Sequence, residues 1–304
     1  MRPPLPVFAL AAALLAGPIV SAPASAQSSA PSPRTTEMTF EAGTLIDVTL
    51  GKIRPGMEGK FANEYFPAAI PIAMEYGLKP LGTFSVTKID HGPADGFNIW
   101  GFFQWPSLER KQAFEKDPRF APLREFRDSM MDTKPIQVYT QVPETTTVTL
   151  TEGRMYEAAF TWVNPEKGGH LQQYFGGAGP FIAENGVRFL GDFQVTGQSD
   201  NPEYAFDSLP TKFFFIDWGS PATKEKWFTS ETFRNVGWHR ALGLDRLVVI
   251  ESNFNFPPAA ASAEPRPAGT EFVAATTEKT YGVNATGDCV CTEASTTAAQ
   301  APRR

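Results

Sequence analysis

The sequence predicts an α+β protein made of two similar halves whose sheets pack together as one barrel. The first observation is a repeat: Tyr65–Val86 recurs as Tyr174–Val195 at a constant offset of 109 residues, with ten identities and no gap. The second is the same order of apolar patterns in each half, β-α-β-β-α-β. The third is a composition of 25 Phe, 7 Tyr and 6 Trp, which can build a core without disulfides.

The repeat extends beyond this stretch and sets the size of the unit. After a four-residue insertion in the second copy the offset becomes 113 residues, which pairs Trp105 with Trp218 and Phe114 with Trp227. A period of about 100 residues indicates a duplicated domain rather than a solenoid of short repeats.

The N-terminus has the pattern of a signal peptide over residues 1–26. Arg2 is followed by an apolar run at 7–16 that is too short to span a bilayer, and Ala24-Ser25-Ala26 is a small-residue cleavage site. We therefore expect an exported chain, periplasmic or extracellular after cleavage near Ala26; the alternative is a retained anchor. Residues 27–42 are predicted to be a linker, and no other stretch predicts a membrane span.

The first unit, residues 43–143, contains four predicted strands and three predicted helices. Apolar residues at helical spacing predict a helix over 57–76, with Pro67 and Pro71 kinking or dividing it and Gly77 ending it. The strands are predicted at 44–50, 81–89, 97–105 and 136–142, and the later helices at 107–115 and 122–131.

The second unit, residues 152–254, repeats this order after a Thr-rich link. Strands are predicted at 155–162, 187–196, 212–218 and 247–252, and helices at 167–185, 223–228 and 233–241. Residues 255–304 are rich in Ala, Pro, Ser and Thr and are predicted to be disordered, apart from a short strand possible at 271–275. The two cysteines, Cys289 and Cys291, lie in this tail.

Each unit has the ferredoxin-like arrangement, four strands with helices on one face. The other face is apolar and has to be covered. We expect the two tandem units to pack sheet to sheet as one pseudo-symmetric α/β barrel, for which a monomer is sufficient.

Particular motifs carry a resemblance over about residues 44–253. The first unit, with IRPGMEGKF and WPSLERKQAFEKDPRF, is similar to NIPSNAP-type domains; the second, with FFFIDWGSPATKEKWFTSETFR and RLVVIES, resembles a related bacterial domain of unknown function. Both resemble the dimeric α/β-barrel superfamily. That resemblance implies the fold. It leaves the activity open, since the superfamily includes monooxygenases, chlorite dismutases and lactone isomerases.

The candidate site is predicted in the second unit, between helix 167–185 and the sheet. There the apolar stripe of the first unit is replaced by smaller or more polar residues, with His170 and Tyr174 at its start, so we expect a roomier, more polar pocket. His170 and Tyr174 are the catalytic candidates. The ligand-binding candidates are Phe181, Asn185, Trp162, Trp218 and Arg188. Gly176, Gly177 and Gly179 beside Pro180 predict a locally unstable or non-helical segment. Close approach of another backbone, an opening lid or a loosely filled core would each explain these glycines.

Structural readings of the same residues stay open. The centre of the helix face could lie one position on, at Leu171, leaving His170 at its edge. The tryptophans could plug the barrel end, and Arg188 could cap the preceding helix.

The composition excludes several classes of function. The formal net charge is −6 without a basic cluster, which argues against nucleic acid. Three scattered histidines lack the spacing of a metal site. We expect an exported protein of the cell envelope that binds a small hydrophobic or aromatic molecule without a cofactor. The alternatives are a cofactor-free monooxygenase or isomerase, and a haem-linked enzyme with His170 as axial ligand.

Overall fold

The structure, a computed structural model, describes residues 32–92, 96–257, 278–283 and 289–294. The predicted signal peptide, residues 27–31 of the linker and the possible strand at 271–275 lie outside these ranges. Within the described ranges no helix combines the length and hydropathy needed to cross a bilayer.

The chain divides into two compact units after Phe256. The described part of the C-terminal unit is a two-stranded antiparallel sheet, β11 (Glu278–Val283) and β12 (Cys289–Ala294), in the stretch predicted to lack regular structure. All other elements belong to the N-terminal unit.

The first half of the N-terminal unit follows the predicted order. Its elements are β1 (Thr35–Phe40), β2 (Leu45–Ile53), α1 (Glu58–Lys60), a π-helix (Phe61–Tyr65), α2 (Phe66–Glu75), β3 (Lys79–His91), β4 (Ile99–Trp105), α3 (Leu108–Glu115), α4 (Phe120–Ser129) and β5 (Met131–Thr140).

The second half has the same order after a connecting strand. Its elements are β6 (Thr146–Thr151), β7 (Met155–Val163), α5 (Gly169–Glu184), β8 (Arg188–Gln198), a 3-10 turn (Pro202–Tyr204), β9 (Lys212–Gly219), α6 (Pro221–Thr229), α7 (Glu231–Gly243) and β10 (Leu244–Phe254).

Eight strands close into an antiparallel barrel in the order β10-β3-β4-β2-β5-β8-β9-β7. Each half supplies four adjacent strands, and the halves join where β5 pairs with β8 and β3 pairs with β10. The mixed α+β class and the barrel are therefore as predicted. Closure leaves none of these eight strands with an unpaired edge.

The barrel interior is filled by aromatic side chains from both halves. Phe84 stacks on Trp100 with ring centroids 4.0 Å apart, and Phe102, Phe213 and Phe215 pack around them. The helices lie outside, where they form separate apolar clusters with the other face of the strands. Space for a ligand is therefore found between helices and barrel wall.

The linker prediction for 27–42 differs from the structure, because β1 lies inside it. β1 pairs with β6, which formed part of the predicted Thr-rich link. Alternation explains both strands: Met38 and Phe40 face inward, as do Val148 and Leu150, between polar residues. The pair adds apolar side chains to the barrel core.

The predicted helix over 57–76 is divided as its prolines indicate. Pro67 and Pro71 lack the amide hydrogen that a helical residue donates, and a π-helix occupies the turn before Pro67. Gly77 and Gly186 follow the paired helices with φ of 89° and 63°, a backbone conformation that favours glycine at a helix end.

Helix α5 is continuous, so its glycines do not make this segment non-helical. Helix α7 packs directly against α5, and a Cβ on Gly177 would lie 2.4 Å from Val236 Cγ1. Close approach of α7 thus explains Gly177. The helix also gains tertiary packing that offsets the glycine cost of roughly 0.5–1 kcal/mol.

We expect Phe40→Ala to lower the free energy of unfolding by about 3–5 kcal/mol, because it removes a buried ring from the barrel core. Phe40 is fully buried, with ring centroids 5.0 Å from Phe102 and 5.3 Å from Phe193. Urea unfolding measures the change. Glu37→Ala on the exposed side of the same strand is the matched control, and an equal effect of both substitutions would contradict the role given to β1.

Candidate functional site

Two cavities lie between the helices and the barrel wall, one in each half. The cavity of the first half has a volume of about 400 Å³ and lies under α2, α3 and α4. The cavity of the second half, under α5, α6 and α7, has about 60 Å³. Sequence analysis predicted the roomier pocket in the second half, and the structure places it in the first. The reason is packing, since Phe181 and Trp227 fill the second half with ring centroids 5.0 Å apart.

The wall of the first cavity carries a buried ion pair. Asp47 on β2 and Lys111 on α3 are 2% and 1% exposed, and Asp47 Oδ2 lies 3.6 Å from Lys111 Nζ. Lys111 Nζ also donates hydrogen bonds to Glu115 and, at 3.3 Å, to Gln137 Oε1. The hydroxyl of Thr49 donates to Asp47 Oδ1 at 2.9 Å.

Local structure explains how a lysine comes to be buried here. Ser107 caps α3 by accepting the amide hydrogen of Arg110, which fixes where the helix begins. Lys111 and Phe114 then fall three residues apart on the face that meets the sheet.

Burial sets the protonation of this cluster. Burial raises the pKa of Asp47 to about 6, since desolvation of the carboxylate outweighs the attraction of Lys111. Burial alone would lower the pKa of Lys111, but Asp47 and Glu115 more than offset it and the pKa is raised. Burial also raises the pKa of Tyr139, which faces Asp47 across the β2–β5 ladder, to about 12.

The rest of the wall combines aromatic rings with polar and charged side chains such as Gln112, Lys116 and Arg124. The rings of Phe61, Tyr65, Phe66, Phe114 and Phe120 line it. Trp105, at the end of β4, is 4% exposed, and among the described residues its Nε1–H has no hydrogen-bond acceptor. A buried donor without a partner costs about 1–3 kcal/mol.

The cover of the first cavity comes from the second half. Ser199, Asp200, Asn201 and Tyr204, in the connection between β8 and β9, all line it. The four-residue insertion of the second copy falls in this region of the sequence. The Tyr204 hydroxyl donates to Asp128 at 2.6 Å, and Lys134 pairs with Glu203 at 2.6 Å, which fastens the connection to the first half.

The second half buries a lysine in the same place. Lys224, 113 residues after Lys111, lies 2.5 to 2.8 Å from Asp90, Glu157 and Glu251. Glu157 faces Ile216 across its ladder as Asp47 faces Phe103, so the two carboxylates hold equivalent barrel positions.

The tryptophans that end the equivalent strands, Trp105 and Trp218, differ in the hydrogen bonding of the indole N–H. Trp218 Nε1 donates to Glu157 Oε2 at 2.9 Å, whereas Trp105 has the shorter Asp47 as its equivalent neighbour.

The predicted site residues are dispersed. Tyr174 and Trp218 line the small cavity. His170 lines neither cavity: its Nδ1 is 2.8 Å from Nδ1 of His239, and its ring lies 5.6 Å from that of Trp238. The structure therefore does not bring His170 and Tyr174 to one pocket. The inward face of α5 is centred on Leu171, Tyr174, Ala178 and Phe181, with His170 at its edge.

The remaining candidates have structural contacts. Phe181 packs in the apolar cluster, and the Asn185 side chain donates to the carbonyl of Phe181 at 2.9 Å at the end of α5. Trp162 belongs to the barrel core, with its Nε1 donating to the Ser208 carbonyl at 3.2 Å. Arg188 binds the buried Asp217 carboxylate, with Nε to Oδ2 at 3.0 Å.

Sequence reasoning missed Asp47, Lys111 and Tyr139. A usable signal was present, because Lys111 and Lys224 are identical at the offset of 113 and each stands three residues before a buried aromatic residue. A charged residue repeated on an apolar helix face indicates a buried charge.

Haem does not fit the residues of the first cavity. None of its described lining residues is a histidine or a cysteine, the usual ligands of haem iron. Burial raises the pKa of the lining tyrosines Tyr65, Tyr139 and Tyr204, which disfavours a phenolate ligand. His91 lines the other cavity, whose 60 Å³ is far too small for a porphyrin. No group of three or more His, Cys, Asp or Glu in the described ranges is placed to hold a metal ion.

Comparison with solved structures finds proteins of related architecture. An anthrone oxidase-like protein aligns over 73% of this chain and 95% of its own, with 15% identity and a TM-score of 0.48. A mutant chlorite dismutase from Candidatus Nitrospira defluvii aligns over 71% and 93%, with 9% identity and a TM-score of 0.47. A putative monooxygenase from Lactobacillus acidophilus NCFM aligns over 70% and 94%, with 9% identity and a TM-score of 0.37.

We draw no functional conclusion from likenesses at these TM-scores. No protein-family model and no curated protein sequence matches the chain. The similarity to NIPSNAP-type domains therefore stays a prediction from the sequence. The description of the barrel rests on the pairing of its own strands.

We expect the free energy of unfolding to fall as pH rises from about 4 to about 6. Asp47 has a pKa raised from 3.8 to about 6, so in this window the folded chain binds more protons than the unfolded chain. The contribution is at most about 3 kcal/mol, at 1.36 kcal/mol per pKa unit. Urea unfolding at several pH values measures it, and Asp47→Asn should flatten this part of the profile. Asp132→Asn is the control, because the Asp132 side chain is 40% exposed. This substitution should leave the dependence of the free energy of unfolding on pH unchanged.

Proposed function

We propose that this protein is an exported small-molecule-binding protein of the cell envelope, and that its ligand occupies the first-half cavity. The ligand class is a small aromatic or hydrophobic compound that carries a hydrogen-bond acceptor. The observation that supports this most is the cavity of about 400 Å³ with aromatic walls and the unpaired Trp105 Nε1–H. Its size matches that of small-molecule sites, which have volumes of 300–1,000 Å³. Export is inferred from the signal-peptide pattern of residues 1–26.

A cofactor-free enzyme is the second candidate. What favours it is the ionisable group Asp47 beside the same cavity, with a pKa near the physiological range. A haem-linked enzyme lacks comparable support, since the lining residues offer no suitable axial ligand.

We expect 2-tetralone, a bicyclic aromatic ketone, to bind more tightly than tetralin, the hydrocarbon of the same ring size. Both can fill the aromatic cavity, but the ketone alone gives Trp105 an acceptor. One hydrogen bond of about 1 kcal/mol corresponds to roughly a fivefold difference in Kd, measured by calorimetry.

Ala69→Phe, which fills the cavity from α2, should abolish the binding of both probes. Ala68→Phe, at the exposed neighbouring position, is the matched control. If Ala69→Phe binds both compounds normally, the ligand site lies elsewhere.

We also propose that the two halves are tandem ferredoxin-like units that arose by duplication, the first of NIPSNAP-like type. Residues at the constant offset support this, because they hold equivalent places in the barrel. Trp105 and Trp218 end equivalent strands, and Lys111 and Lys224 occupy equivalent helices.

One chain is expected to be sufficient for folding, because each half already supplies the strands that pair with the sheet edges of the other. Light scattering on the mature protein should give the mass of a single chain across the working concentration range. An obligate dimer, unable to dissociate without unfolding, would contradict a barrel completed within one chain.

A further inference from the structure

Asp47, Tyr139 and Trp105 are neighbours on the wall of the first cavity. Asp47 is directly opposite Tyr139 in the β2–β5 ladder, and Leu45 is directly opposite Trp105 in the β2–β4 ladder. Asp47 and Trp105 are therefore diagonal neighbours on one face of the sheet, where Cβ atoms are about 7–8 Å apart. Both residues line the first cavity.

The difference between the halves decides what this pair can do. In the second half Glu157 reaches Trp218 Nε1 at 2.9 Å and Lys224 Nζ at 2.7 Å, so acid, indole and amine satisfy one another. In the first half the equivalent acid, Asp47, is one methylene shorter. Trp105 Nε1–H is left without an acceptor among the described residues, and Asp47 Oδ2 is 3.6 Å from Lys111 Nζ, beyond hydrogen-bond distance.

We propose that Asp47 and Trp105 form a proton-transfer centre for a benzylic ketone, in which a C–H bond between the aromatic ring and the carbonyl group is acidic. This rests on the proposed binding of such compounds in the same cavity. Asp47 is the base and Trp105 is the donor to the carbonyl oxygen.

The step is balanced within the site. The carboxylate of Asp47 takes the proton from the α-carbon, and the electron pair of the C–H bond forms the C=C bond of the enolate. The carbonyl π electrons move to oxygen, where the Trp105 N–H stabilises the developing negative charge. Return of the proton from Asp47 to the same carbon regenerates the ketone, and return to another carbon of the enolate system isomerises it. In D₂O the Asp47 proton exchanges with a solvent deuteron before the return, which places deuterium on the carbon.

The neighbouring groups hold Asp47 in position. Thr49 donates to Oδ1 at 2.9 Å, which leaves Oδ2 as the oxygen that accepts the proton. Lys111 remains an ammonium ion between Glu115 and Gln137, since its pKa is raised, and keeps the anionic form of Asp47 accessible. Burial raises the pKa of Asp47 to about 6. Near neutral pH both the protonated and the ionised form of this carboxyl group are therefore populated.

The experiment follows hydrogen–deuterium exchange at carbon 1 of 2-tetralone by proton NMR in D₂O. We expect the protein to accelerate exchange over buffer, with a rate that rises with pH through about 6 and then levels. Asp47→Asn should lower the protein-catalysed rate at least roughly 100-fold while the ketone still binds. Asp132→Asn makes the same charge change at an exposed position and should leave the rate unchanged.

A conservative substitution gives the sharper test. Asp47→Glu should reach Trp105 as Glu157 reaches Trp218, and should therefore lose both the exchange and the preference for ketone over tetralin. Trp105→Phe should lose the same preference and slow the exchange about 100-fold.

The outcomes separate the two proposals. Binding of 2-tetralone without accelerated exchange, or exchange that Asp47→Asn leaves intact, overturns the proton-transfer centre and leaves the binding function standing. Failure of both 2-tetralone and tetralin to bind overturns both proposals.

Discussion

The structure depends on the closure of one sheet by strands from both halves. A four-stranded sheet with helices on one face has two open edges and one uncovered apolar face, and nothing in the same half can satisfy them. Pairing β5 with β8 and β3 with β10 removes all four edges and encloses the apolar faces together. The aromatic interior around Phe84, Trp100 and Phe215 is the direct result.

Closure also determines where polar chemistry can be placed. The barrel interior is filled, so buried charges lie on the outer face of the strands, beneath the helices. Both halves have a serine-capped short helix that directs a lysine toward a carboxylate on the first barrel strand of that half, β2 or β7. In the second half Lys224 pairs with Glu157 and Glu251 of the same half and with Asp90 of β3, in a nearly filled space. The first half leaves an indole N–H unpaired and a cavity beside it.

Much of the fold could be predicted from the sequence, and the reasons are local. Period-2 and helical patterns located the eight barrel strands and the main helices, and Gly77 and Gly186 marked helix ends. Strands β1 and β6 were missed because six-residue Thr-rich segments resemble linkers until their pairing is known. The sequence left three explanations of the α5 glycines open, because the residue that requires Gly177, Val236, is 59 positions away in the chain.

The site was harder to predict than the fold. Smaller residues in the second copy, such as Gly177 in place of Ala68, suggested space there. Yet cavity volume depends on what packs from other elements, and Trp227 and α7 fill it. The first cavity requires a loop from the second half, Ser199–Tyr204, so no pattern within the first half could reveal it. The buried lysines were visible as a repeated residue, but their partners come from strands distant in sequence.

Because the two halves have different sequences, one half can contain a large cavity while the other is well packed. The first half leaves about 400 Å³ beneath its helices unfilled by side chains, and it therefore forgoes packing that Phe181 and Trp227 supply in the second half, at a penalty in stability. In an assembly of two identical chains any such void is present twice, and the penalty doubles. In a chain with two different halves the cavity lowers the free energy of unfolding only once. The packing of the other half still stabilises the closed barrel.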